Sequence, residues 1–138
     1  NELKTQVKNL NLEKNIIFTG AIPNNELPRY YATADIFIGP SVIAKGGDRE
    51  GLPVTYLEAM ASGCVVIGTN LPGNKDIIKD GVNGFLIEQK NSDQITKKII
   101  ELIEDKEKRE KLAGNGYHLV KNNHSWGIIT QKYLEILI

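Results

Sequence analysis

The sequence predicts an α/β fold, a parallel sheet of about four strands flanked by helices and followed by a helical C-terminal tail. Three observations point there. Short β-rich runs alternate with stretches of helical periodicity, the pattern of βαβ crossovers. The runs are apolar on both faces, as strands covered by helices on both sides require. Beyond residue 88 only helical periodicity remains. The expected organisation is one unit, with an α/β core over 1–88 and helices over 89–138.

Taken in order, Leu3, Val7 and Leu10 sit at helical spacing, so residues 2–10 read as a helix. Ile16-Ile17-Phe18 reads as the first strand, stopped by Gly20 and Pro23. Asn24 or Asn25 is the expected cap of a helix reaching Ala34, with Leu27, Tyr30 and Tyr31 on its apolar face and Pro28 in its first turn. Ile36-Phe37-Ile38 is the second strand, ended by Gly39-Pro40, and the aperiodic stretch Ser41 to Glu50 is a loop. Residues 52–62 return to helix, with Pro53 in the first turn and Gly63 just past the end. Val65-Val66-Ile67 is the third strand, Gly73 to Lys79 a short helix, and Asp80-Gly81 and Asn83-Gly84 are turns. Phe85-Leu86-Ile87 is the fourth strand. Ser92 is the expected cap of the next helix, whose stripe is Ile95, Ile99, Leu102 and Ile103. Residues 106–121 and 126–137 give two more helices, the last with Trp126, Ile129, Tyr133 and Leu137 on one face.

Composition narrows the function classes. The 138 residues carry 17 Lys plus Arg against 17 Asp plus Glu, a net charge of zero. That balance argues against a general electrostatic grip on nucleic acid or an anionic membrane. A single cysteine, Cys64, excludes an intramolecular disulfide and a multi-cysteine metal site. No apolar run reaches the roughly 18 residues of a membrane span. A cytoplasmic module is the expectation. The chain starts at Asn1, without Met and within helical periodicity, as a segment taken from a longer protein would.

The chemistry gathers between Gly46 and Gly73. Parallel sheets bind ligands beyond the carboxyl ends of their strands. One loop on that edge, Gly46-Gly47-Asp48-Arg49-Glu50-Gly51-Leu52-Pro53, runs straight into a helix. Such a junction offers free N–H groups and the positive end of a helix dipole, an anion site. Two carboxylates flank it, Glu50 and Glu58, with seven residues between them. Eight helical steps at about 1.5 Å each span about 12 Å, the reach from a hexose past a diphosphate to a ribose. A carboxylate accepts two hydroxyl hydrogen bonds, which suits a diol. Glu58 sits among Leu57, Ala59, Met60 and Ala61, so its charge calls for a partner. The plainer readings are a dipole-favouring Glu50 and a solvated Glu58.

The run from Glu50-Gly51-Leu52-Pro53 through Glu58 to Ile67 resembles the E-x7-E block of retaining GT-B glycosyltransferases, family 4. Asp76-Ile77-Ile78 with Asp80 to Ile87 is similar to that family's next block. Tyr30 to Pro40 resembles its approach segment, and Ser125-Trp126 with Tyr133-Leu134 its closing helix. The resemblance implies a partial domain, the Rossmann-like C-terminal domain of a two-domain protein without its first strands, which would precede Asn1; it would bind a nucleotide-sugar donor without cofactor or metal. Glu50 would receive the hydroxyls of the transferred sugar and Glu58 those of the ribose. Gly51, Leu52, Pro53, Val54 and Thr55 would line the sugar and diphosphate; Pro53 has no N–H, so Leu52, Val54 and Thr55 are the donors. Gly20, Ala21 and Ile22 would meet the base through the main chain. A glycan, lipid-linked or small-molecule acceptor would enter through an N-terminal domain not contained in this chain. Peripheral membrane association of the whole protein, at the inner face, is within the family's range; nucleic acid is not an expected partner.

Departures from the family pattern are specific. Cys64 stands where the family often has Pro, and reads as a buried, inert residue. Leu71-Pro72-Gly73-Asn74 replaces a Gly-Gly turn. Lys45 and Arg49 are within reach of a phosphate or are solvated loop charges. The family's early Arg and Lys, which neutralise the leaving diphosphate, would precede Asn1, so this segment alone is expected to be inactive. An alternative is a non-catalytic sugar-nucleotide-binding module completed by a partner chain; a reading frame starting near Asn1 would favour it. A receiver-like signalling domain fits poorly, because Asp35 begins its strand instead of ending it. His118 and His124 fall in the helical tail as surface or packing residues.

Overall fold

Three of the apolar runs enter one parallel sheet in a computed structural model that describes residues 2–43 and 53–137. They are β1 (Ile36–Gly39), β2 (Val65–Thr69) and β3 (Gly84–Ile87), side by side in chain order. Ile36 pairs with Val65 and Gly39 with Gly68; Val66 pairs with Gly84 and Thr69 with Ile87. The helices are α1 (Glu2–Asn9), α2 (Leu27–Thr33), α3 (Val54–Ala61), α4 (Pro72–Lys75), α5 (Ser92–Glu104), α6 (Lys106–Asn123) and α7 (Trp126–Leu137).

The alternation of side chains along β2 divides the core in two. Val65 and Ile67 join Phe85 and Ile87 of β3 against Leu102 of α5 and Leu112 of α6. Val66 faces the other way, into Tyr56, Ala59 and Met60 of α3 with Ile77, Ile78, Cys64 and Tyr31. Both faces are therefore covered, as the doubly apolar strands require. Helix α3 ends where expected: Gly63 adopts φ +90°, the left-handed geometry of a residue just past a helix end.

The structure corrects several expectations. Ile16-Ile17-Phe18 forms no strand, and Ile17 is 86% exposed. A strand exists only by pairing, and β1, β2 and β3 pair among themselves. The sheet thus has three strands among the described residues, not four. Helix α2 starts later than Asn24 or Asn25 predicts: Glu26 occupies its cap without a side-chain hydrogen bond. Asn91, not Ser92, caps α5, its Oδ1 accepting from Gln94 N at 3.0 Å. Helix α4 stops at Lys75 because Asn83 diverts the following backbone, donating to Ile77 O (2.9 Å) and accepting from Lys79 N (2.7 Å). Ile103 drops out of the α5 stripe at 65% exposure, while Leu102 is fully buried. The α7 face is also open, with Trp126 83% exposed.

Candidate functional site

Helix α3 carries the site, and an aromatic residue fixes where it starts. Tyr56, in its first turn, is buried against β1 and β2. A Cβ built on Gly39 would lie 2.3 Å from Tyr56 Cε1, and one on Gly68 2.6 Å from Cε2. Those glycines are register partners at the carboxyl ends of the two strands. Their missing side chains make the slot that the ring fills, and the Tyr56 hydroxyl donates to Gly39 O. The N-terminus of α3 is thereby set over the sheet edge where parallel α/β folds bind ligands.

Neighbouring polar groups hold the same edge. Buried Asn74 donates from Nδ2 to Thr69 O at 2.8 Å, and Thr69 Oγ1 donates to Ser41 O at 2.8 Å. Ile43 N donates to Gln89 Oε1 at 2.9 Å. The chain before residue 44 is tied to the sheet edge by these bonds, and the chain after 52 by buried Pro53 and Tyr56.

Pro53 occupies the N-cap in extended conformation (ψ 101°). Val54 and Thr55 follow, both exposed, with N–H groups that no preceding helical turn can satisfy. Tyr56 N already donates to Pro53 O at 3.0 Å. The first turn therefore presents donors and a positive dipole end to solvent, which suits an anion.

Glu58 lies one turn further along α3, exposed yet partnered. Tyr31 of α2 donates from its hydroxyl to Glu58 Oε2 at 3.3 Å. The charge does have the partner its apolar setting called for. A concavity of about 230 Å³ opens beside the pair, lined by Asn24, Leu27, Pro28, Tyr31, Glu58 and Ser62. Burial, and then the Glu58 carboxylate, hold the Tyr31 phenol above its ordinary pKa, so it remains protonated and a donor at neutral pH.

Cys64 supports this corner from below. It is fully buried, and its Sγ contacts Tyr31 O at 3.1 Å and Ala34 O at 3.3 Å. Burial, and then the Asp35 carboxylate, push its thiol pKa up, the reverse of what a nucleophile needs. The inert reading of Cys64 agrees with this.

The remaining candidates are placed less closely. Gly20 is left-handed (φ +68°), Gly20 and Ala21 are exposed and Ile22 is half-buried. None of the three lines the Glu58 concavity; Asn24, two residues on, does. Glu50, Gly51 and Leu52 lie outside the described residues, with Lys45, Asp48 and Arg49, so only the Glu58 end of the expected Glu50–Glu58 reach is described. His118 is exposed and meets the Tyr117 ring edge-on in α6; His124 caps that helix. Among the described residues, no three His, Cys, Asp or Glu side chains cluster closely enough to hold a metal ion. No helix there is long and apolar enough to cross a membrane.

Sequence reasoning missed Tyr31, Tyr56 and Asn74 as parts of the site. Helical spacing put Tyr30 and Tyr31 on one face, but Tyr30 is 46% exposed and Tyr31 9%. A usable signal for Tyr56 was present in Gly39 and Gly68, two glycines ending strands whose other residues are bulky.

Comparison with known proteins decides the family. The model of the glycosyl transferases group 1 family matches residues 1–119. The chain belongs to that family. The group 1 chain is 42% identical to the C-terminal domain of a glycosyl transferase group 1 family protein (LpcC) from Francisella tularensis, covering 91% of this chain and 62% of that one, with a TM-score of 0.80. It is 28% identical to Anabaena Alr3699/HepE in complex with UDP, covering 99% of this chain and 35% of that one, with a TM-score of 0.88. It is 30% identical over 136 residues to the GDP-mannose-dependent alpha-(1-6)-phosphatidylinositol monomannoside mannosyltransferase of Mycolicibacterium smegmatis, covering 98% of this chain and 36% of that protein. The group 1 chain thus spans about a third of the curated relative's length (36%). Its helix-flanked parallel sheet is part of the Rossmann-like C-terminal domain of the GT-B fold.

Proposed function

We propose that this group 1 domain is the donor-binding portion of a glycosyltransferase that moves a hexosyl group, with retention, from a nucleoside-diphosphate sugar to a glycan, lipid-linked or small-molecule acceptor. One observation carries the reading: the exposed first turn of α3 and the partnered Glu58 carboxylate occupy one helix above the carboxyl ends of β1 and β2. A related structure, Anabaena Alr3699/HepE, was solved with UDP-glucose and with UDP, which supports a nucleotide sugar as the ligand class.

In this reading the N–H groups of Leu52, Val54 and Thr55 meet the diphosphate, and Pro53 shapes their approach without donating. Glu58 accepts the ribose hydroxyls, Glu50 those of the transferred sugar, and the main chain at Gly20, Ala21 and Ile22 meets the base. Breaking the sugar–phosphate bond leaves negative charge on the diphosphate. A preorganised helix N-terminus stabilises that charge without reorganising during the reaction. Glycan or polysaccharide synthesis is the process this activity serves, in the cytoplasm or at the inner membrane face, with the acceptor bound by the rest of the protein.

Titration calorimetry on the full-length protein tests the ribose role. Glu58→Ala removes a charged acceptor of two hydroxyls, and donor affinity falls by about tenfold or more. Unchanged affinity would overturn the assignment of Glu58.

A further inference from the structure

Tyr31 is well placed to do more than pack. Glu58 is an exposed glutamate, and such a side chain ordinarily samples several rotamers, which costs binding free energy when a ligand fixes it. Here one carboxylate oxygen is already engaged by a phenol that is itself held from three sides. The Tyr31 ring meets Phe37 edge-on at 5.7 Å, and Phe37 in turn meets Tyr56 at 5.9 Å. The backbone carbonyl of Tyr31 meets Cys64 Sγ and also accepts from Ala34 N at 3.1 Å. Leu27 and Pro28, at the start of the same short helix, form one wall of the concavity onto which Tyr31 and Glu58 open.

We propose that Tyr31 is a positioning residue for the nucleotide ribose: it fixes the Glu58 carboxylate through Oε2, leaves Oε1 for one ribose hydroxyl, and offers its own phenolic oxygen to the neighbouring one. A phenol that donates its proton to Glu58 keeps lone pairs that can accept. The pair then reads a cis diol with two acceptors from two different helices, α2 and α3. This deepens the ribose reading of Glu58 and rests on it.

The test uses full-length protein and calorimetry with UDP, GDP and ADP, each beside its 2′,3′-dideoxy analogue. The nucleoside diphosphate that binds most tightly serves for the comparison. Tyr31→Phe keeps the ring and its contacts and removes only the hydroxyl. The expected result is about threefold to tenfold weaker binding of the ribonucleotide. Binding of the dideoxy analogue is expected to stay unchanged, so the preference for the diol shrinks. A variant that weakens both ligands equally, or neither, overturns the positioning role. Glu58→Ala separates the two claims. If it leaves the diol preference intact, or if none of the three nucleotides binds the wild-type protein, the ribose reading of Glu58 fails. If Glu58→Ala abolishes the preference and Tyr31→Phe does not change it, the role of Tyr31 alone fails.

Discussion

At the scale of single residues, Tyr56 joins the sheet edge to the helix that carries the candidate site. Its ring needs both Gly39 and Gly68 to lack side chains, and its hydroxyl is committed to Gly39 O, so it has little room to tilt. Gly68→Ala would set a methyl 2.6 Å from Tyr56 Cε2 and 3.0 Å from Ile78 Cδ1. Overpacking of this kind costs about 1–3 kcal/mol. A lower urea midpoint with an unchanged slope is the expected outcome, and an unchanged midpoint would show that the ring can move. Residue identities at this scale were partly readable from the chain. Glu58 announced itself as a charge among apolar neighbours, whereas its partner lies 27 positions away and only folding brings it near.

At the scale of elements, α5 and α6 are locked to β3 by charge as well as by apolar burial. Glu101 of α5 accepts from Lys98 Nζ at 2.9 Å and from Lys108 of α6. Lys98 Nζ also lies 4.1 Å from the centroid of the buried Phe85 ring, a cation–π contact. Hydrogen bonds from Lys108 and then Lys98 hold the Glu101 carboxyl below its ordinary pKa, outweighing its partial burial. A depressed folded-state pKa gives stability that is complete above the unfolded value and is lost as pH falls through the folded one. Glu101→Gln should therefore lower the unfolding midpoint at neutral pH and flatten its acid-side decline, read by thermal melts from neutral pH down to the acid limb. Equal losses at every pH would show that the carboxylate acts only through packing. Helix existence was readable from periodicity, and boundaries were less so. Asn91 and Ser92 are both good caps by type, and only backbone geometry selected Asn91.

At the scale of the whole molecule, the chain resembles a domain with faces still open. Trp126, Tyr133 and Leu137 of α7 are 83%, 65% and 78% exposed, and α1 buries none of its residues. The chain spans 36% of the mannosyltransferase it resembles, so donor choice and acceptor are properties of the full-length protein. A thermal-shift panel of UDP-, GDP- and ADP-sugars on that protein is expected to raise its melting temperature with one nucleotide series above the other two. No shift with any of them would count against a nucleotide-sugar donor.

The sequence by itself determined the α/β class, the three strands that pair, the existence of each helix among the described residues and the family, because hydrophobic period, turn residues and an ordered run of motifs are local properties. Tertiary structure alone decided that Ile16-Ile17-Phe18 stays out of the sheet, that Tyr31 and not Tyr30 turns inward, and that Glu58 meets a phenol. Each depends on which surfaces approach one another: a strand needs a partner's hydrogen bonds, and a buried hydroxyl needs an acceptor from elsewhere in the chain.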